Sequence, residues 1–145
     1  PEIAGNLGTI LRTCACLGVP VDIIEPCGFP FSDRSLKRAG MDYFDHVDYI
    51  RHADWAAFKQ TANSRNARII LLSSKAERPH HGFAYRDSDI LLFGSEGLGV
   101  PLTIQEQCDG RITIPMKPGM RSLNLAVSAG MALGEALRQT GQFPE

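Results

Sequence analysis

Hydrophobic positions change period along the chain, from the three-to-four spacing of a helix to short unbroken runs and back. In "NLGTILRTCACLG" residues Leu7, Ile10, Leu11, Cys14 and Leu17 fall on one helical face, and Gly18 supplies the stop. "VPVDIIEP" and "HVDYI" are apolar runs of strand length, and "SDRSLKRAG" between them predicts a short helix opening at Ser32 and closing at Gly40. "DWAAFKQTANS" predicts a helix capped by Asp54, and "RIILLSS" and "DILLFG" predict buried strands. "PLTIQEQC" then predicts a helix with Pro101 in its first turn, and "RITIP" the last strand. A long final helix runs from Ser122 to about Thr140, with Gly141 as its stop.

Unbroken apolar strands separated by helices predict an α/β fold with a parallel sheet covered on both faces. Pro1 is followed at once by "EIAGN", a loop into the first helix, so the strand that should feed that helix is expected to lie upstream of the given sequence. No repeat, low-complexity tract or linker interrupts the pattern, which predicts a single domain over residues 1–145. A chain of this length buries roughly 70% of the surface its unfolded form exposes.

Composition narrows the setting. The cysteines at 14, 16, 27 and 108 lack the C-x-x-C spacing of a zinc site and are expected to be buried thiols in a reducing compartment. No apolar run approaches the roughly 20 residues that span a bilayer, and no basic-then-apolar leader is visible, so a cytoplasmic protein with no membrane partner is expected. The net charge of −1 argues against a uniformly basic nucleic-acid binder but leaves local patches open.

Three segments carry candidate chemistry, each at a strand end or a helix start, where open α/β sheets place ligands. In "NLGTILR", Gly8 permits close approach beside Asn6 and Arg12, although from this segment alone an N-cap Asn with a solvated Arg is the simpler explanation. In "LLFGSEGLGVP", Gly94, Gly97 and Gly99 follow a strand in an order that is neither the dinucleotide fingerprint nor a phosphate-binding loop with its lysine. Glu96 in that loop is either a carboxylate at a helix terminus or a partner for an arginine. In "IPMKPGMRSLN", Ser122 fits the cap of the final helix, which leaves Asn124, a weak helix former two residues inside, unexplained. Ala126, Gly130 and Gly134 repeat at spacing four, as in a helix pressed against another backbone. The pair His80 and His81 in "ERPHHG" lacks converging ligands and predicts a solvated turn without metal.

Taken together, N-x-G-x-x-x-R at 6–12, F-G-S-E-G-x-G-x-P at 93–101 and I-P-M followed by S-L-N at 114–124 resemble the three ordered motifs of the SpoU branch of the SPOUT RNA methyltransferases. The segments "IIEPCGFPFSD", "LKRAGMDY" and "RHADWAAF" are similar to the small TrmL type, which methylates the ribose of the wobble nucleotide of certain tRNAs. The resemblance implies a Rossmann-like parallel sheet with a deep C-terminal trefoil knot formed by residues 72–75, 94–99 and 114–122. It implies S-adenosylmethionine as cofactor, without metal, lined by Leu72, Gly94, Ile114, Met116 and Ser122, and S-adenosylhomocysteine as product. It implies that Arg12 activates the ribose 2′-hydroxyl and that Asn6, Glu96, Ser122 and Asn124 orient the arginine, the ribose and the cofactor. Guanidinium groups hold their proton, so electrostatic activation together with an RNA phosphate is favoured over proton abstraction by Arg12 itself. The resemblance also implies a homodimer whose active site is shared between subunits, and a tRNA surface that includes Arg34, Lys37, Arg38, Lys117 and Arg121. Two alternatives carry the same motifs: a SpoU-type enzyme acting on another tRNA position or on rRNA, and a catalytically silent RNA-binding module of this fold.

Overall fold

The first helix, α1 (Ala4–Leu17), begins earlier than the apolar pattern suggests. Ile3 occupies its N-cap with extended backbone, and its carbonyl accepts the N–H groups of Asn6 at 3.1 Å and Leu7 at 3.4 Å. Asn6 therefore lies inside the first turn and is not the cap. The helix ends where Gly18 turns left-handed, at φ 68°, a conformation that costs glycine little. Leu7, Leu11 and Cys14 are buried as the 3.6-residue period requires, and burial pushes the Cys14 thiol up to about 11. Cys16 is exposed while Cys27 and Cys108 are half-buried, so only Cys14 is the fully buried thiol expected of all four.

The structure is a computed structural model that describes residues 1, 3–28, 34 and 46–145. The described chain divides into two units, Pro1–Arg65 with Pro144–Glu145, and Asn66–Phe143. The helix expected from Ser32 to Gly40, with Lys37 and Arg38, lies outside the described residues, save Arg34, which is exposed.

In the first unit β1 (Val21–Ile24) pairs in parallel with β2 (Tyr49–His52), Val21 opposite Tyr49 and Ile24 opposite His52. The second strand runs past its apolar residues because its polar end is bonded across the ladder. His52 Nε2 lies 2.8 Å from Asp22 Oδ1, and Arg51 pairs with Glu25 at 2.9 Å. Helix α2 (Trp55–Ser64) is capped as expected, the Asp54 carboxylate accepting the Ala57 N–H at 2.8 Å, and it turns Phe58 and Ala62 inward.

In the second unit β3 (Ile69–Leu72) is the central strand between β4 (Ile90–Leu92) and β5 (Gly110–Ile112), with every pairing parallel. A middle strand bonded on both sides must be apolar on both faces, and Ile69, Ile70 and Leu71 are fully buried. Ile70 and Ile112 pack with Phe83 and Tyr85, against which Leu72, Leu91 and Ala136 lean. Arg68 and Asp89 brace the amino ends of β3 and β4 through a 2.7 Å ion pair, and Asp89 also accepts the Arg86 N–H at 2.8 Å.

Helix α3 (Leu102–Gln105) starts after Pro101, which sits at the N-cap and not inside the first turn. The final helix, α4 (Leu125–Thr140), starts three residues later than its expected opening at Ser122. Asn124 is the cap, its side-chain oxygen accepting the Val127 N–H at 3.1 Å. An asparagine at the N-cap satisfies an otherwise orphaned amide better than it serves a helix interior, which removes the apparent misfit at this position. Among the described residues no backbone presses on the glycine stripe: a Cβ added at Gly130 or Gly134 meets no heavy atom within 4 Å, although Ala126 is buried. Among the described residues no helix is long and apolar enough to cross a membrane.

Candidate active site

The carboxyl ends of three adjacent parallel strands bring together residues far apart in sequence. Leu72 is the last residue of β3 and pairs in register with Ile112 of β5. Gly94 follows the end of β4 by two residues, and Ile114 follows the end of β5 by two. Leu72 and Gly94 are half-buried and Ile114 is buried, so this edge presents apolar walls beside main-chain groups.

Past β4 the chain turns back on itself. The Gly99 N–H donates to the Ser95 carbonyl at 3.1 Å, and the Leu98 N–H donates to Ser95 Oγ at 3.3 Å. Gly99 adopts a left-handed φ of 68°, and its backbone lies so close to Gly94 that a Cβ at 94 would stand 2.6 Å from the Gly99 carbonyl carbon. Both glycines are thus needed by the turn itself. Gln105 of α3 ties the turn down by donating from Nε2 to the Val100 carbonyl at 2.8 Å. Glu96 is half-buried within this turn.

Past β5 the chain runs through half-buried Met116 to a turn in which the Met120 N–H donates to the Lys117 carbonyl at 3.3 Å and Gly119 takes φ 89°. Ser122 and Asn124 are exposed ahead of α4. Asn6 and Arg12 belong to the first unit and share α1, with Asn6 half-buried and Arg12 exposed. Six residues of helix separate them by about 9 Å along the axis.

The sequence pattern carried the β3 strand through Ser73 and Ser74, and the structure lays residues 73–80 along β5 and its extension. Ser73 N–H donates to the Ile112 carbonyl at 2.9 Å, Thr113 N–H to the Arg78 carbonyl at 2.9 Å, and His80 N–H to the Thr113 carbonyl at 2.7 Å. The strand ends at Leu72, before the Ser73 and Ser74 that "RIILLSS" had included. The turn His80–Gly82 is less solvated than expected: His80 is half-buried, its Nδ1 is buried without a hydrogen-bond partner, and its carbonyl accepts from Tyr85 Oη at 2.7 Å.

Two of the motif blocks follow neighbouring strand ends beside Leu72, where apolar side chains flank main-chain groups, and residues 1–134 match the SpoU rRNA Methylase family. The chain belongs to this family. A tRNA (cytidine(34)-2′-O)-methyltransferase of Beijerinckia indica is 53% identical over 97% of this chain and 88% of its own length. A solved structure concerned with 2-OH methylation of C/U34 on tRNA matches with a TM-score of 0.89 and 43% identity, over 96% of this chain and 90% of that one. An AdoMet-bound rRNA methyltransferase from Sinorhizobium meliloti matches with a TM-score of 0.83 and 27% identity, over 94% of this chain and 52% of that one. SpoU membership agrees with the fold described here in its parallel α/β sheets.

Proposed function

We propose that this protein is an S-adenosylmethionine-dependent methyltransferase acting on the ribose 2′-hydroxyl of a tRNA nucleotide at the wobble position of the anticodon. The observation that carries this reading is the likeness, along nearly the whole chain, to a protein named for that reaction. The cofactor fits the strand-end site: Leu72, Ile114 and Met116 offer apolar surface to an adenine ring, and the main chain at Gly94 and Ser122 offers the polar groups. Apolar side chains suffice when the backbone reads the adenine edge, which accounts for the absence of an acidic ribose-binding residue from this set. S-adenosylmethionine supplies an electrophilic methyl group on a sulfonium, and no metal is required for its transfer.

The chain's own contribution is position and charge. Displacement in line gains most from holding the hydroxyl in near-attack geometry and from stabilising the oxyanion as it develops. Arg12 supplies the positive charge and, together with a nearby RNA phosphate, activates the hydroxyl electrostatically. Glu96 and Asn6 orient Arg12 and the ribose, and Ser122 orients the cofactor. Asn124, by capping α4, fixes the segment that carries Ser122.

The C-terminal segment through residues 114–122 is threaded as a deep trefoil knot with residues 72–75 and 94–99. The enzyme works in the cytoplasm as a homodimer whose active site is shared, with α1 and α4 packed across a two-fold axis. Val127 and Met131, both exposed and four residues apart on α4, each lie three residues before one of the open glycines, Gly130 and Gly134, and supply the apolar contact of that interface. Arg34, Lys37, Arg38, Lys117 and Arg121 contribute to a tRNA surface spanning both subunits. Mass mapping of tRNA from cells lacking the protein tests the function: loss of the 2′-O-methyl group at nucleotide 34 supports it, and an unchanged methylation pattern opposes it.

A further inference from the structure

Charge is distributed unevenly between the two edges of the three-stranded sheet. The segments entering β3, β4 and β5 at the amino edge, 66–68, 85–89 and 106–109, carry Arg68 and Arg86 against Asp87, Asp89, Glu106 and Asp109. The segments leaving those strands at the carboxyl edge, 73–77, 93–101 and 113–124, carry Lys75, Lys117 and Arg121 against Glu77 and Glu96. Parallel strands put all three exits on one side, so a polyanion meets a favourable potential at the edge that holds Leu72, Gly94 and Ile114 and an unfavourable one at the opposite edge.

Among the exit segments, 73–77 carries its cation on a turn that leads directly out of the central strand. The Lys75 N–H donates to Ser73 Oγ at 3.2 Å, and the Ala76 N–H donates to the Ser73 carbonyl at 3.2 Å. Both ends of the excursion are anchored to β5 and its extension, through Ser73 to Ile112 and through Arg78 to Thr113. Lys75 is exposed at the tip, three residues beyond Leu72, and among the described residues no carboxylate pairs with it. Arg78, the other cation of this excursion, is differently placed: its guanidinium lies 5.9 Å from the centre of the Phe83 ring, which Arg68 also approaches at 5.4 Å. Arg78 is thereby drawn onto the core cluster, and Lys75 is left as the forward charge.

We infer that Lys75, on the Ser73–Ala76 turn, contacts a backbone phosphate of the RNA substrate and so positions the substrate strand over the strand-end site. This inference rests on the tRNA reading above and extends its surface to the β3 exit. A lysine on a phosphate supplies affinity without sequence preference, and it releases about one counterion.

The test is binding of bulk tRNA to the wild-type, Lys75→Ala and Lys75→Arg proteins across a series of salt concentrations, with calorimetry of S-adenosylmethionine alongside. Lys75→Ala is expected to weaken tRNA binding several-fold, to reduce the slope of log affinity against log salt by about 0.7–0.9, and to raise KM for tRNA with kcat within twofold. Lys75→Arg is expected to restore the slope, and all three proteins are expected to bind S-adenosylmethionine equally. A wild-type slope in Lys75→Ala, or a loss of S-adenosylmethionine affinity matching the loss for tRNA, overturns the contact. Wild-type protein that binds S-adenosylmethionine but no tRNA at any salt overturns the contact and the tRNA reading together.

Discussion

Gly94 lies against the backbone of Gly99, and the turn between them requires that position 94 carry no side chain and that position 99 take a left-handed φ of 68°. A Cβ at position 94 would also lie 2.7 Å from a Val100 methyl and 2.9 Å from the Gly99 Cα, so no side-chain rotation relieves the overlap. Gly94→Ala must open the Ser95–Gly99 turn. The expected result is at least a tenfold loss of S-adenosylmethionine affinity, on the order of 1.4 kcal/mol, measured by calorimetry. Wild-type affinity in Gly94→Ala would separate this turn from the cofactor site.

Ser122 and Asn124 are separable by experiment because only one of them caps α4. Asn124→Ala removes the acceptor for the Val127 amide and is expected to cost about 1 kcal/mol of unfolding free energy, read from chemical denaturation. Ser122→Ala is expected to leave stability within about 0.5 kcal/mol, as for an exposed position outside a helix, while lowering methyl transfer. The reverse pattern of stabilities would contradict the placement of the cap.

Tyr85 predicts an alkaline limit to stability. Burial first, then the carboxylates of Glu135 and Asp89, push its hydroxyl up to about 12 from an ordinary value of 10. Between these values the unfolded chain has already released the proton that the folded chain keeps, so stability falls as pH rises from about 10 to 12. Tyr85→Phe is expected to flatten this part of the profile, at a loss of about 1 kcal/mol near neutrality for the missing bond to the His80 carbonyl. Denaturation midpoints taken across that pH range check both effects.

The glycine stripe of α4 tests assembly. Among the described residues nothing lies within 4 Å of a Cβ added at Gly130, so Gly130→Leu is expected to leave the monomer's fold intact and to weaken a dimer by overpacking worth on the order of 1–3 kcal/mol. Light scattering should show dissociation together with lost activity. A wild-type protein that is monomeric and active at assay concentration would refute the shared site.

Much of this structure was legible in the sequence where a single periodicity or a single stop residue decides the outcome. Gly18, Asp54 and Gly141 bound their helices as expected, and the apolar run at 69–72 became the central strand. The misplacements occurred where two local chemistries compete. Ser122 and Asn124 are both good caps, and only the observed hydrogen bond chooses between them. At α1 no capping side chain is used at all, so the search for one put the start too late. Within the candidate site, the family resemblance implied Leu72, Gly94 and Ile114. Their convergence depends on the β4-β3-β5 strand order, which spacing along the chain does not encode. The Ser73–His80 excursion was illegible for the same reason, since its partners are thirty or more residues away on β5.

The most direct measurement is transfer of isotopically labelled methyl from S-adenosylmethionine to bulk tRNA by the purified protein, followed by nuclease digestion and mass spectrometry. The wild-type protein is expected to place label on the ribose of nucleotide 34, while Arg12→Ala is expected to lose transfer and keep S-adenosylmethionine affinity within a few-fold. Wild-type protein that binds S-adenosylmethionine yet leaves the tRNA unlabelled, or labels a base instead of a ribose, would contradict the account.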